Sequence, residues 1–249
     1  MDLGIAGRRA IVCAASRGLG RACAEALVRE GVDVVVNGRD PVVLEETAEV
    51  IRAVAPDVDV RSVAGDVTDA AVREALVAAA DGAPDILVNN AGGPPPGDFR
   101  DWDRSTWLTA LDQNMLSAIE LIRLVLDGMA ERGFGRIVNI TSSTVRVPIP
   151  VLGLSNAARA GLTNFVFGLA PSVSSRGVTI NNLLPGPFDT NRLRGSKEIT
   201  RHLTRNDVAG RVGDPAELGA ACAFLCSANA GYITGQNLLM DGGLYPGSF

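Results

Sequence analysis

Short apolar runs rich in β-branched residues alternate with helical patterns along the whole chain. This alternation constrains the fold more than any other feature. Strands joined by helices must lie parallel, with the helices covering both faces of one sheet. The spacing predicts strands over Arg9–Ala14, Val32–Asn37, Val58–Ala64, Asp85–Asn89, Arg136–Ile140, Val178–Leu184 and Gln236–Met240. Helical patterns fall over Gly18–Glu30, Leu44–Val54, Ala70–Ala80, Trp102–Arg132, Asn156–Ser175 and Pro215–Ser227. The strands are unbroken apolar runs, such as Ile86-Leu87-Val88, which suits burial on both sides. The expected class is α/β: a doubly wound parallel sheet of about seven strands with helices on both faces. No linker or repeat interrupts residues 1–249, so a single domain is expected.

Two segments break the alternation. Gly92 to Asp101 holds Pro94-Pro95-Pro96, and Pro187 to Gly213 separates the sixth strand from the last helix. Both follow strand C-termini, the edge where open α/β sheets bind ligands. The second reads either as a substrate lid at about 187–213 or as a surface insertion. A net charge of −5 argues against a nucleic-acid or anionic-membrane surface. No apolar run reaches the roughly 18 residues of a membrane span. Met1-Asp2-Leu3-Gly4 does not read as a signal peptide, so a cytoplasmic location is expected. Cys13, Cys23, Cys222 and Cys226 sit in apolar segments with no histidine cluster nearby. They read as buried small hydrophobes, with a zinc site or disulfide as the alternative and no metal assigned.

The first strand runs into Ala14-Ala15-Ser16-Arg17-Gly18-Leu19-Gly20 and then a helix. Small residues let such a turn approach a pyrophosphate, and the helix N-terminus offers free N–H groups. The same kind of turn also serves as a packing device. Four further motifs follow in order: Asn89-Asn90-Ala91-Gly92, Asn114, Ser142, and Pro185-Gly186-Pro187-Phe188-Asp189-Thr190. With them the chain resembles the short-chain dehydrogenase/reductase family over essentially its whole length, near sequences like 3-oxoacyl-acyl-carrier-protein reductases. Gly92 to Gly97 and Leu154 to Gly161 look like a divergent subgroup. The resemblance implies a Rossmann-type fold and a nicotinamide cofactor. It implies a phosphate cradle over Ala14 to Gly20, with Ser16, Arg17, Gly18 and Leu19 on the phosphates. Asp66 and Val67 would meet the adenine, and Asn90, Ala91 and Gly92 would line the ribose. Pro185, Gly186 and Thr190 would meet the nicotinamide end. Where the family has its first glycine this chain has Ala14; if that position needs positive φ, alanine costs about 1 kcal/mol.

Cofactor choice follows from charge. An NAD site usually ends the second strand with an acid on the ribose diol. Here that region is Asn37-Gly38-Arg39, with no carboxylate before Asp40. Arg17 and Arg39 could flank a 2′-phosphate, since a guanidinium suits phosphate by its bidentate fork. NADP(H) is therefore expected over NAD(H), although Arg39 could simply be a surface-loop residue.

The family's machinery is a serine, a tyrosine thirteen residues on, a lysine four beyond, and an asparagine on the preceding helix. Ser142 and Asn114 match, but the other two positions hold Ser155 and Arg159. No Tyr-x-x-x-Lys occurs anywhere, because the one lysine is Lys197 and Leu193 stands four before it. A serine hydroxyl is a far weaker acid than a phenol. Arg159 stays charged, so it could anchor ribose hydroxyls or an oxyanion without relaying protons. A positioned acid/base typically contributes about 10²–10⁴ in rate. Substitutes to weigh are His202 in the lid, Tyr245 reaching a neighbouring subunit, and Arg146 facing substrate; each also reads as a surface or interface residue. Tyr232 is expected to pack structurally.

Three functions fit. The first is an NADP(H)-dependent oxidoreductase on a carbonyl or alcohol with an atypical site. The second is a non-redox isomerase, dehydratase or cyclase. The third is a non-catalytic NADP(H)-binding protein. The partner is a small-molecule substrate rather than nucleic acid or membrane. The resemblance also implies a homodimer or homotetramer; Phe165, Phe167 and Leu169 suit helix packing between subunits or within one core.

Overall fold

The computed structural model describes residues 1–195 and 208–247. Seven parallel strands form one sheet in the order β3-β2-β1-β4-β5-β6-β7. They are β1 Arg9–Val12, β2 Asp33–Gly38, β3 Val60–Ala64, β4 Ile86–Asn89, β5 Gly135–Ile140, β6 Val178–Pro185 and β7 Asn237–Met240. The helices are α1 Gly18–Arg29, α2 Pro41–Val54, α3 Ala70–Ala79, α4 Arg104–Leu111, α5 Ser117–Glu131, α6 Gly153–Val173, the short α7 Asn191–Arg194, and α8 Pro215–Cys226. The order reverses between β1 and β4, and this reversal opens a crevice at the C-terminal edge.

Each apolar run sorts its residues by parity. Ala10, Val12, Val34, Val36, Ile86 and Val88 face α1, α2 and α8. Their neighbours Ile11, Val35, Leu87 and Ile137 face α3, α5 and α6. The period of two is hidden in the sequence because both faces are buried. All four cysteines are buried and free, as expected of small core residues. Among the described residues no helix is long and apolar enough to cross a membrane.

The differences from the sequence reading have local causes. β1 stops at Val12 rather than Ala14 because Ala14 turns left-handed, at φ 47°. α2 begins at Pro41, three residues early, since Asp40 caps it by accepting from the Val42 and Val43 amides. The pattern over Trp102–Arg132 is two helices joined by a π-helical turn over Asp112–Leu116, capped at the start by Asp103. α6 begins at Gly153, so Ser155 lies inside the helix rather than ahead of it. Tyr232 does not pack within the chain; its side chain is fully exposed. Phe165 and Leu169 pack into the core, whereas Phe167 is exposed. Of the proposed lid, 187–195 and 208–213 are described, and 196–207 lie outside the described residues, with them Lys197 and His202.

One feature escaped the sequence reading entirely. Asn89, Asn139, Asn182 and Asn237 occupy the same register on β4, β5, β6 and β7. Their amides run as a ladder, Asn89 donating to Asn139 at 2.9 Å, Asn139 to Asn182 at 3.1 Å, and Asn182 to Asn237 at 2.8 Å. Buried amides that satisfy one another across strands penalise a register slip, which would orphan them. The ladder crosses the half of the sheet that carries the chemical groups.

Candidate active site

The turn after β1 is pinned on both sides. The Cys13 amide donates to the Val88 carbonyl at 3.0 Å, and the Ala15 amide to the Asn37 carbonyl at 2.7 Å. Ala14 holds positive φ despite its Cβ, at a cost of about 1 kcal/mol. Asn90 Nδ2 donates to the Ala14 carbonyl at 3.3 Å and so helps hold that conformation. A Cβ on residue 20 would run into the same carbonyl and the Asn90 amide, so only glycine lets α1 start this close to the strand. Thr47 Oγ1 donates to the Ser16 carbonyl at 2.8 Å and ties the turn to α2.

This cradle has polar groups left over. No side chain caps α1, so its first N–H groups remain open. Ser16 Oγ is buried with no partner among the described residues, and it lies against Gly38, where a Cβ would overlap it. A cavity of about 590 Å³ opens there, lined by Ser16, Arg17, Arg39, Asp66 and Val67. Arg17 and Arg39 are exposed and make no ion pair or hydrogen bond among the described residues. The nearest acid, Asp40, is engaged as the α2 cap. Asp66 Oδ1 accepts from the Thr68 amide and hydroxyl. An uncapped helix end, an orphaned hydroxyl and two unpaired guanidiniums fit a phosphorylated dinucleotide.

Ala14, Arg17, Asn90, Ala91, Gly92 and Gly93 form the shared wall with a second cavity of about 290 Å³. This one brings together Gly18, Leu19, Ser142, Ser155, Arg159, Pro185, Gly186 and Thr190. Gly20 lines neither cavity and acts beneath them. Ser142 Oγ accepts from the Thr144 amide at 3.2 Å and hydroxyl at 2.9 Å, which leaves its own proton for the pocket. Arg159 Nε donates to Ser155 Oγ at 3.2 Å, one helical turn back on α6. Arg159 Nη1 donates to the carbonyls of Ile140 and Thr141, both at 2.8 Å, and Nη2 to that of Ala91 at 3.1 Å. It is a buried cation held by carbonyl dipoles, with no carboxylate partner among the described residues. Burial, and then the charge of Arg192, push its pKa down to about 10, so the guanidinium stays charged near neutrality.

Asn114 is placed apart from this pocket. It sits in the π-turn, where Nδ2 donates to the Ala110 carbonyl at 3.4 Å and Oδ1 has no partner among the described residues. It borders a separate cavity of about 20 Å³, shared with Asn89 and Arg159 and large enough for one water. Arg146 is exposed and does not line the pocket, which favours the solvated reading.

Comparisons with known proteins give the family. The enoyl-(acyl carrier protein) reductase family model matches residues 13–245. The 3-oxoacyl-[acyl-carrier-protein] reductase of Vibrio cholerae is 36% identical over 98% of this chain and 99% of its own length. The chain belongs to the short-chain dehydrogenase/reductase family. Gluconate 5-dehydrogenase of Gluconobacter oxydans is 33% identical over 96% of this chain and 95% of its own. The crystal structure of L-sorbose reductase from Gluconobacter frateurii, complexed with NADPH and L-sorbose, superposes with a TM-score of 0.89 at 29% identity, covering 98% of each chain.

The fold of this short-chain dehydrogenase/reductase also brings in residues that sequence reasoning passed over. Thr144 orients Ser142, and Phe188, Leu152 and Leu193 line the pocket with apolar surface. Arg192 on α7 reaches across the mouth, donating to the Gly93 carbonyl at 2.6 Å and the Pro94 carbonyl at 3.1 Å. The only sequence signal for it was an arginine two positions past Thr190.

Proposed function

We propose that the protein is an NADP(H)-dependent oxidoreductase that reduces a carbonyl, or oxidises the corresponding alcohol, with Ser155 and Arg159 at the positions of the usual tyrosine and lysine. The observation that carries this reading is the convergence of Ser142, Ser155 and Arg159 on the same pocket as Gly18, Gly186 and Thr190. The NADP(H) preference rests on Ser16, Arg17 and Arg39 around the adenosine-side cavity, with Asp40 withdrawn into a helix cap. The L-sorbose reductase structure, solved with NADPH, supports the same choice.

When bound, the nicotinamide supplies or accepts the hydride. Arg17, the open α1 amides and Thr190 hold the phosphates and the nicotinamide end, and Asp66 and Val67 meet the adenine. Asn90, Ala91 and Gly92 would line the ribose, and of the expected lid Pro187, Phe188 and Asn191 to Leu193 border the pocket. Ser142 and Ser155 each have a hydroxyl proton to donate to the substrate oxygen. Arg159 fixes Ser155 through Nε and places a full positive charge behind it. Negative charge developing on the oxygen is thus stabilised by a preorganised, buried cation. Asn114 stands behind Arg159 beside a separate cavity large enough for one water, and a proton given up by a serine is replaced from the solvent that the open pocket admits. This machinery positions and polarises without a side chain that titrates near neutrality.

The test is a carbonyl panel with NADPH and NADH, followed by absorbance at 340 nm. Oxidation of NADPH faster than NADH with at least one substrate is expected. Turnover that persists after the nucleotide is stripped would transfer the assignment to a non-redox lyase or isomerase. A homo-oligomer is also proposed, since Leu116, Leu124 and Phe167 on the α5–α6 side and Tyr232 near β7 are exposed apolar side chains. Light scattering at micromolar concentration checks it.

A further inference from the structure

The chemical pocket carries a charge imbalance that the reaction alone does not require. Arg17, Arg159 and Arg192 line it, and no aspartate or glutamate does among the described residues. The protein as a whole is acidic, with a net charge of −5, so this positive focus is local. The dinucleotide's phosphates have their own partners at the α1 N-terminus and Arg17. Two cations, Arg159 and Arg192, remain without a counter-charge among the described residues.

Their donor inventory is also incomplete. A guanidinium has five N–H groups. Arg159 commits four, to Ser155, Ile140, Thr141 and Ala91, leaving one on Nη2. Arg192 commits two, to the Gly93 and Pro94 carbonyls, leaving Nε–H and one on each terminal nitrogen. Those contacts hold the Arg192 side chain across the mouth. A Cβ on residue 93 would stand 2.6 Å from Arg192 Nη2, so glycine there lets the guanidinium lie on the loop. Arg192 lines the cavity of Ser142 and Ser155 and does not line the adenosine-side cavity. Its charge is felt at Arg159, where it adds to the lowering of the pKa.

We propose that Arg192 is a specificity-determining residue that binds a carboxylate of the substrate, so that the protein acts on carbonyl compounds bearing a carboxylate and an apolar body. This inference rests on the oxidoreductase reading above and names its substrate class. The carboxylate takes the free donors of Arg192 in the bidentate manner a planar guanidinium favours. It also places a negative charge between two like-charged groups that otherwise repel. Leu152, Phe188 and Leu193 receive the apolar body, and the carbonyl oxygen lies toward Ser142 and Ser155.

The experiment uses matched probes that differ only in charge: phenylpyruvate against its methyl ester, and 4-oxopentanoate against its methyl ester. Binding is measured by titration calorimetry to the full chain saturated with NADP⁺, which prevents turnover, and in parallel to nucleotide-free protein. The acid of at least one pair is expected to bind tenfold or more tighter than its ester. Arg192→Gln should bring the two within about twofold of each other while NADP⁺ affinity changes by less than about twofold. Arg192→Lys, which keeps the charge but loses the fork, should retain a reduced preference. Equal binding of acid and ester in both pairs overturns the inference. An unchanged acid preference in Arg192→Gln with a tenfold loss of NADP⁺ affinity overturns it too, and makes Arg192 a clamp on the cofactor diphosphate. Failure of the wild-type protein to take up NADP⁺ counts against the oxidoreductase reading instead, and the nucleotide-free arm still reports on the carboxylate.

Discussion

The two halves of the cleft are built from different materials. The adenosine side relies on main-chain geometry: an uncapped helix end, a left-handed alanine, and glycines where a side chain would collide. The chemical side relies on the identity of a few side chains held by hydrogen bonds, above all Arg159 and Ser155. Backbone geometry tolerates replacement of residues, since most sequences that keep the turn keep the N–H groups. A proton-transfer pair has no such tolerance. On the reading proposed above, a chain could in this way keep a dinucleotide cradle while Ser155 and Arg159 stand where the family pattern has its acid/base pair.

The strongest test rebuilds the missing chemistry. The double substitution Ser155→Tyr with Arg159→Lys should raise the rate on neutral ketones by about 10²–10⁴, the usual contribution of a positioned acid/base. Single-turnover kinetics with NADPH check it, and an unchanged rate would mean that the α6 geometry no longer supports the pair.

pH gives the next largest effect. Arg159 titrates at about 10, below the ordinary arginine value, so its charge is complete throughout the neutral range. The rate should therefore be flat between about pH 6 and 9 and fall above about 10 as the cation is lost. For stability the sign is opposite. The folded pKa is depressed for a cation, so above about pH 10, up to the ordinary arginine value, unfolding binds a proton and this group's contribution to stability rises with pH. A rate that changes tenfold across pH 6 to 8 would reveal a different titrating group, for which His202 is the first candidate.

A smaller effect probes the cradle. Arg39→Asp removes one charge-assisted contact to a 2′-phosphate and adds repulsion, at roughly 1.5–3 kcal/mol. The NADPH:NADH affinity ratio should fall about tenfold or more, with activity on the better substrate retained under saturating cofactor. Equal loss for both cofactors would place Arg39 outside the 2′ site.

The smallest effect is one of strain. Ala14→Gly removes the Cβ from a residue at φ 47° and should stabilise the fold by about 1 kcal/mol, raising Tm by about 2–4 °C. Calorimetry reads it directly. No change would mean that the Asn90 contact and the flanking strand bonds already offset the strain.

Much of this was legible in the sequence, because the information was local or periodic. Alternating strands and helices fixed the layer order, and the turn after β1, the Asn90 region and the segment after β6 fell at the expected sheet edge. The absence of any Tyr-x-x-x-Lys needed no structure at all. What remained hidden depends on contacts between residues far apart in the chain. The Asn89-Asn139-Asn182-Asn237 ladder exists only once strand register is set. Arg192 becomes a pocket residue because α7 folds back over the Gly93–Pro94 loop, with Gly93 lying 99 residues earlier in the chain. Arg159 is a buried cation held by three carbonyls from the C-terminal end of β5 and the turn after β4, which no one-dimensional pattern encodes. Sequence alone determined the elements, the glycine-rich turn after the first strand and the lack of any Tyr-x-x-x-Lys, since propensity, periodicity and spacing act over a few residues. Tertiary structure decided where the charges meet, because long-range packing fixes both their separation and how far water screens them.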